Sequence, residues 1–269
     1  MIYLYISKMK QEDLEFFKKL LSVPSKTYQE DLMIEFICDY LYSMGYEFYL
    51  DESSNIYVTK GVSDNYPCFV AHLDTVHSLK PIRVEERSLT NDKGEYKLSL
   101  QGFSMFNDQP VGIGGDDKCG IFVCLKLLEK LDNVKIAFFV SEEVGCIGSY
   151  QADSYFFSDV GYVVQFDAPS NYMVSEYCSG TKLFERDSEF FKRIEPVLKE
   201  TFNPDYLLQK HPYTDVRALK ELFPEISMIN LSCGYHRYHT PNEYIIVDEV
   251  QNAIDTGIEI YNKLGCERL

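Results

Sequence analysis

The chain has 269 residues, and 45% of them are hydrophobic, which is enough for a sizeable core in one large domain or two small ones. Its 42 acidic residues outnumber its 26 basic residues and give a net charge of -16, which argues against nucleic acid and anionic membranes as partners because both demand a basic surface. The apolar run in residues 1–10 is too short for a signal peptide, and no later stretch is apolar enough to span a bilayer. We therefore expect a cytoplasmic protein with no membrane or nucleic-acid partner.

Local patterns alternate between helix and strand along the chain. In chain order, the predicted elements are helices over residues 11–21 and 28–44, strands over 46–50, 55–59, 67–73, 82–86 and 96–100, a helix over 117–131, strands over 134–140 and 160–166, helices over 187–201 and 215–222, a strand over 225–231, and a helix over 248–264. The segment 80–110 is more polar and is interpreted as a hairpin around Asn91-Asp92-Lys93-Gly94 that decorates the core. This alternation predicts the α/β class, as a single domain over residues 1–269 with three layers, α/β/α, around a mixed, mostly parallel sheet.

Eight cysteines lie mostly within apolar segments, and no two of them form a Cys-x-x-Cys pair. In a chain without an export signal, this pattern is typical of reduced and mostly buried thiols. It indicates neither a disulfide framework nor a zinc knuckle.

Residues 111–120 (VGIGGDDKCG) place two acids between glycines and an apolar helical run. Asp116 and Asp117 are thus presented at a helix start. Either acid could simply cap the helix, where its backbone N–H groups and the positive end of its dipole favour a carboxylate. The alternative is a carboxylate that bridges metal ions, and the acids and histidines of the other connections favour it.

Ionisable residues follow the predicted strands where those strands end. They come from five connections: His72 with Asp74, Asp116, Glu142 with Glu143, Asp167, and His239. Each alone is typical of a surface pair, a solvated turn or a cap, but together they should meet at the carboxyl edge of one sheet, where α/β proteins bind ligands. So many charges in one place would repel and desolvate one another unless cations neutralised them.

The ligand types indicate which metal would bind. Imidazoles mixed with carboxylates suit zinc, or cobalt or manganese in its place, better than calcium or magnesium. Two histidines and three acids form two three-ligand sites only if one carboxylate is shared. The sequence therefore predicts a pair of zinc ions bridged by Asp116, about 3.5–4 Å apart.

Five motifs in family order resemble those of the co-catalytic zinc peptidases of the peptidase T, carboxypeptidase and glutamyl aminopeptidase clan. They are AHLDT (71–75), GIGGDDKCGI (112–121), SEEVGCIGS (141–149), FDAP (166–169) and HTPNE (239–243). The likeness begins near residue 22 and ends in the last helix, so it covers nearly the whole chain. The connections between the motifs leave room for a hairpin and core elements but for no inserted lid domain, so the chain resembles the catalytic domain alone, with a zinc-peptidase or phosphorylase-like fold.

The resemblance assigns roles to the residues that match its motifs. It implies that His72 and Asp167 bind one zinc ion and Glu143 and His239 the other, with Asp116 as the bridge. It further implies that Asp74 orients His72, that Glu142 is the general base, and that the Asp116-Asp117 peptide is cis.

The implied activity is metal-dependent hydrolysis of peptide bonds, most directly by an aminopeptidase that acts on short peptides as a monomer or small homo-oligomer. One alternative is an N-acyl amino acid deacylase or carboxypeptidase, and another is an inactive metal-bound scaffold that binds peptides. Candidate substrate-binding residues are Thr214 and Asp215, in a turn that resembles one near the family's pocket, and His236 and Arg237, close to the last histidine.

Overall fold

A computed structural model of the protein describes residues 8–90, 94–202, 207–211 and 213–269. Residues 1–7, which belong to the stretch judged too short in its apolar run for a signal peptide, lie outside these ranges. Asn91, Asp92 and Lys93 of the predicted hairpin turn also lie outside them. The helices are α1 (Gln11–Ser22), α2 (Asp31–Ser43), α3 (Gly115–Lys130), α4 (Ser154–Phe157), α5 (Glu189–Thr201), α6 (Asp215–Leu222) and α7 (Val247–Leu264). The strands are β1 (Phe48–Leu50), β2 (Ile56–Lys60), β3 (Tyr66–His72), β4 (Ile82–Thr90), β5 (Tyr96–Ser104), β6 (Pro110–Val111), β7 (Val134–Phe139), β8 (Val160–Ala168), β9 (Met173–Cys178), β10 (Thr181–Lys182), β11 (Leu207–His211), β12 (Ser227–Ser232), β13 (Tyr235–His236) and β14 (Tyr244–Ile246).

Nine strands of the described ranges form the central sheet, in the order β1-β2-β7-β3-β8-β12-β9-β10 with β11 beside β9. Its centre is parallel, because β3 pairs in parallel with both β7 and β8, and β12 with β8. Every residue of β3, β7 and β8 is buried, as their almost continuous apolar sequences require. The predicted single-domain α/β fold with a mixed central sheet is confirmed.

The helices flank this sheet. Helices α3 and α6 both pack on β3 and β8, while α1 and α7 pack on α3. The contact between α1 and α3 includes Phe17 stacked on Phe122, with ring centroids 4.4 Å apart. Helix α2 begins three residues later than predicted, because Tyr28 has a φ of 66°, a left-handed conformation that cannot start a helix.

A second sheet joins the segment 80–110 to the chain around His239. Within the described residues it has five strands, in the order β13-β14-β5-β4 with β6 beside β5. The strands β4 and β5 are longer than predicted, and β5 pairs with β14, which places Ile245 opposite Leu100. The segment forms the predicted hairpin, and in addition it supports the β13–β14 hairpin that carries His239 in its loop.

All eight cysteines are free thiols, and six of them are buried, as predicted. Among the described residues, no helix is both long and apolar enough to cross a membrane.

Candidate metal centre

The ionisable groups predicted to meet do lie at one edge of the central sheet. His72 ends β3, Asp167 lies near the end of β8, and Glu142 and Glu143 follow β7. Because these three strands are parallel, their carboxyl ends reach the same edge. Asp74 follows His72 after β3, and the last two groups are Asp116, at the start of α3, and His239, in the β13–β14 loop.

Asp116 lies between the two imidazoles. Its Oδ1 is 3.1 Å from His72 Nε2, and its Oδ2 is 3.3 Å from His239 Nε2. The other two acids flank this pair, since Asp167 Oδ1 is 3.8 Å from His72 Nε2 and Glu143 Oε2 is 3.0 Å from His239 Nε2. Two atoms that are each about 2.0–2.1 Å from a tetrahedral zinc ion lie about 3.3–3.4 Å from each other. The separations at Asp116 and Glu143, 3.0–3.3 Å, are close to this value and that at Asp167, 3.8 Å, is longer, so the groups around Asp116 can hold metal.

Asp117 also lies near His72 and Asp167, and one atom from each of the three falls within 4.8 Å of the others. Both oxygens of Asp117 are engaged, however, because the backbone N–H of His72 donates to Oδ2 at 3.2 Å and that of Gly120 donates to Oδ1 at 3.0 Å. Asp117 thus ties the start of α3 to the end of β3, which leaves Asp116 as the acid that faces both histidines. The Asp116-Asp117 peptide is cis, as the resemblance implies.

Asp74 holds His72 from the side away from Asp116. The backbone carbonyl of Asp74 lies 3.0 Å from His72 Nδ1 and its Oδ1 lies 3.4 Å from the same nitrogen. The carboxylate also accepts hydrogen bonds from Thr27 Oγ1 at 2.8 Å and from the backbone N–H of Glu142 at 2.9 Å. Burial opposes ionisation of Asp74, but hydrogen bonds from His72, Glu142 and Thr27 outweigh it and lower its pKa. With Nδ1 occupied by Asp74, the Nε2 of His72 is directed at the acids.

The acids at this edge carry more negative charge than the two imidazoles can neutralise. Burial raises the pKa of Asp167 to about 7, and the nearby charge of Asp116 adds to the effect. Burial also raises the pKa of Glu142 well above its ordinary value and raises that of Glu143. A divalent cation would stabilise these neighbouring carboxyl groups in their ionised form. The carboxylates and imidazoles at this edge are therefore suitable metal ligands.

Asp116 and His239 contact each other, and their pKa values shift in opposite directions. Burial acts against the charged form of Asp116, but hydrogen bonds from His239 and His72 outweigh it and lower its pKa. The hydrogen bonds that His239 makes to Asp116 and Glu143 raise its pKa to about 10. Asp116 is therefore an anion that attracts positive charge from both sides, which is the property a bridging ligand needs.

Glu243 supports Asp116 and was given no role by the sequence, although it ends the HTPNE motif. Its side chain is fully buried and accepts hydrogen bonds from the backbone N–H groups of Gly114 at 2.9 Å and Asp116 at 3.2 Å. His77 Nε2 lies 2.7 Å from the same carboxylate. Glu243 thereby fixes the main chain from which the Asp116 carboxylate projects.

Two candidate substrate-binding residues lie behind the centre. Thr214 and Asp215 are both fully buried, and neither lines the cavity over the metal ligands. Thr214 Oγ1 donates to Asp167 Oδ2 at 3.0 Å, and Asp215 Oδ2 accepts from Gln165 Nε2 at 3.1 Å. Helix α6 begins at Asp215 and packs on β8, so both side chains point toward that strand, and a role for them in substrate binding stays a prediction.

The other two candidates, His236 and Arg237, do not line the cavity over the metal ligands. His236 Nε2 is 2.7 Å from Glu249 Oε2, and its ring stacks on Tyr244. The Arg237 guanidinium also lies over the Tyr244 ring, 5.9 Å from its centroid. A contact of His236 or Arg237 with substrate stays a prediction.

A cavity of about 460 Å³ opens over Asp116, Glu142, Glu143 and Asp167. The remaining wall is largely aromatic and consists of Val144, Gly145, His211, Tyr213, Tyr235, Tyr238 and His239. Tyr235 donates its hydroxyl to Asp167 Oδ1 at 3.2 Å, and burial raises its pKa well above the ordinary value, so it is a neutral donor. These tyrosines could not be identified from the sequence, because a chain with 21 tyrosines offers no local signal that separates a pocket from the core.

No protein-family model and no curated protein sequence matches the chain. Its fold is similar to that of the aminopeptidase PepT from Bacillus cereus, with a TM-score of 0.72, 14% identity and coverage of 95% of this chain and 99% of that one. It is also similar to a tripeptidase from Staphylococcus aureus, with a TM-score of 0.72, 13% identity and coverage of 93% and 97%. For the TET1 peptidase of Pyrococcus horikoshii, the TM-score is 0.64 at 15% identity, with coverage of 96% and 99%. Likenesses at this level of identity establish the fold.

Proposed function

We propose that the protein is a metal-dependent aminopeptidase that removes N-terminal residues from short peptides. The observation that carries this proposal is the position of Asp116, with one carboxylate oxygen 3.1 Å from His72 Nε2 and the other 3.3 Å from His239 Nε2. Its support is a fold shared with a PepT aminopeptidase and a tripeptidase. The ligand set that we propose is His72 with Asp167 for one zinc ion and His239 with Glu143 for the other, bridged by Asp116.

The roles of the chain's own residues follow from their positions. Bound zinc, or cobalt or manganese in its place, would supply Lewis acidity to a water molecule and to the scissile carbonyl. Glu142, whose Oε2 lies 3.8 Å from His72 Nε2 at the cavity floor, takes the proton released when water adds to the carbonyl carbon. Glu142 then delivers that proton to the amide nitrogen as the carbon–nitrogen bond breaks. Asp74 orients His72 throughout.

Action at an amino end is supported by the fold shared with a PepT aminopeptidase and a tripeptidase. Bound metal would neutralise the three proposed carboxylate ligands, so the charge of the cavity does not by itself select the amino end. An N-acyl amino acid deacylase or carboxypeptidase remains the alternative.

We further propose that the chain acts in the cytoplasm as a single catalytic domain without an inserted lid, as a monomer or small homo-oligomer. The Pyrococcus TET1 peptidase, by comparison, assembles into a tetrahedron or a large octahedral shell.

The test is product analysis by mass spectrometry on a peptide library with free, acetylated or amidated ends, at neutral pH with zinc, cobalt or manganese and a chelated control. We expect metal-dependent release of N-terminal residues that acetylation blocks and amidation permits. Cleavage that amidation blocks would move the assignment to the carboxypeptidase and deacylase alternative. Metal binding without cleavage of any peptide would refute a peptidase and favour the inactive scaffold.

A further inference from the structure

A second cavity adjoins the metal centre and has no role in the site described above. It has a volume of about 480 Å³ and lies between the start of β4, strand β6 and the residues after His239. We call it the Lys80 groove. We call the 460 Å³ cavity over Asp116, Glu142, Glu143 and Asp167 the acidic cavity. Among the described residues, His239 lines both cavities, and they have no other lining residue in common. A molecule that crosses the metal centre at His239 can therefore occupy both.

The two cavities differ in charge. Four carboxylates line the first, whereas none of the described residues that line the Lys80 groove is an acid, in a chain with 42 acidic residues. The walls of the groove are apolar and include Val76, Ile82 and Val111. Its other histidine, His77, is bound to the buried Glu243.

Lys80 supplies positive charge to this groove. Its side chain is exposed, and in the described part of the chain its ammonium group makes no ion pair or hydrogen bond. Lys118, which lines a neighbouring cleft, is by contrast engaged, because it donates to the backbone carbonyls of Leu21 and Val23. An unpaired cation in an apolar groove without acids complements a carboxylate.

We propose that the Lys80 groove binds the leaving-group half of a short peptide and that Lys80 pairs with its C-terminal carboxylate. The proposal rests on the aminopeptidase function, which places the amino end of the peptide in the cavity over the metal ligands and the opposite end of the same chain in the groove. An extended peptide runs about 3.3–3.6 Å per residue, so only a peptide of the right length places its carboxylate at Lys80. The enzyme thus prefers short peptides with a free carboxylate and an apolar residue after the scissile bond.

The test compares leucyl-glycyl-leucine as the free acid and as the C-terminal amide. The variants are Lys80→Met and, as a matched control, Lys130→Met, which removes the same charge from an exposed position at the last residue of α3. We expect the ratio of kcat/KM for the acid to that for the amide to fall about tenfold in Lys80→Met, the size of effect that loss of a charged hydrogen bond produces. We expect the ratio to be unchanged in Lys130→Met.

Binding provides a readout that does not need turnover. Isothermal titration calorimetry on zinc-loaded Glu142→Gln measures the Kd of the acid and the amide, with and without Lys80→Met. Tighter binding of the acid that depends on Lys80 supports the proposal, even if the wild-type protein cleaves neither peptide and the aminopeptidase assignment fails. The groove assignment is overturned if acid and amide bind equally, or if the acid-to-amide ratio of kcat/KM is the same in wild type and Lys80→Met. In that case, hydrolysis of both peptides would still leave the aminopeptidase assignment intact.

Discussion

Replacement of Glu243 by Gln tests whether the support of Asp116 determines metal affinity. One oxygen of Glu243 accepts from the backbone N–H of Gly114 and faces His77 Nε2, while the other accepts from the backbone N–H of Asp116. A glutamine amide has one oxygen that can accept, and its NH2 group cannot. Whichever way the amide is oriented, at least one donor in this buried network loses its acceptor.

The lost hydrogen bond determines how much stability and zinc affinity Glu243→Gln should lose. A buried donor without an acceptor costs about 1–3 kcal/mol, so the free energy of unfolding of the metal-free protein should fall by about that amount in Glu243→Gln. Changes to groups that hold metal ligands typically weaken metal binding about 10- to 100-fold. We expect a loss of zinc affinity in this range, because the Asp116 carboxylate is no longer held in position.

Glu249→Gln is the matched control. Glu249 is buried and lies 2.7 Å from His236 Nε2, the same separation as between Glu243 and His77, but none of the described hydrogen bonds joins Glu249 to the chain around Asp116. It should lower stability without changing zinc affinity. Zinc affinity is measured by competition with a chromophoric chelator, and stability by denaturant unfolding of the chelated proteins. If Glu243→Gln bound zinc as tightly as Glu249→Gln does, the proposed support of Asp116 would be refuted.

Three further predictions concern other parts of the site. Glu142→Gln should retain the metal content of the wild type, measured by mass spectrometry of the bound metal, yet lose about 10²–10⁴-fold in kcat, since a positioned general base contributes that much; robust turnover would rule out this role. In Gly112→Ala the added Cβ would lie 1.8 Å from Cε1 of His77 and would displace that ring, so we expect denaturant unfolding to show a loss of about 1–3 kcal/mol, and an unchanged midpoint would contradict the packing. Burial lowers the pKa of Lys118 to about 8 from 10.5, so the unfolded chain binds more protons than the folded one between these pH values, and the free energy of unfolding of the wild type should rise with pH relative to that of Lys118→Met. If the difference in free energy of unfolding between the wild type and Lys118→Met stayed constant from pH 7 to pH 10, the lowered pKa of Lys118 would be refuted.

Much of the fold was readable from local sequence. Helix α3 and strands β3, β7 and β8 have periodic or continuous apolar patterns that depend only on neighbouring residues, and their bounds agree with prediction to within two residues. The conjunction of His72, Asp116, Glu143, Asp167 and His239 was also predictable, because parallel strands bring their carboxyl ends to one edge whatever the details of packing. Each of these inferences needs only the class of the fold.

The tertiary structure decided what depends on contacts between distant segments. The pairing of β14 with β5 brings together residues more than 140 positions apart, as Ile245 opposite Leu100 shows, and it makes the predicted hairpin the support of His239 and one wall of the Lys80 groove. Glu243 reaches the backbone of Asp116 across 127 positions, and no local pattern signals such a bond.

The direction of side chains was likewise set by packing. Thr214 is close in space to the metal centre, as the resemblance implied, yet its hydroxyl binds Asp167 from behind because α6 packs on β8. The sequence by itself therefore determined which residues meet, through the periodicity of their elements and the order of the strands. Only the packing of helices and of the second sheet decided which side chains line the cavities and which support the ligands.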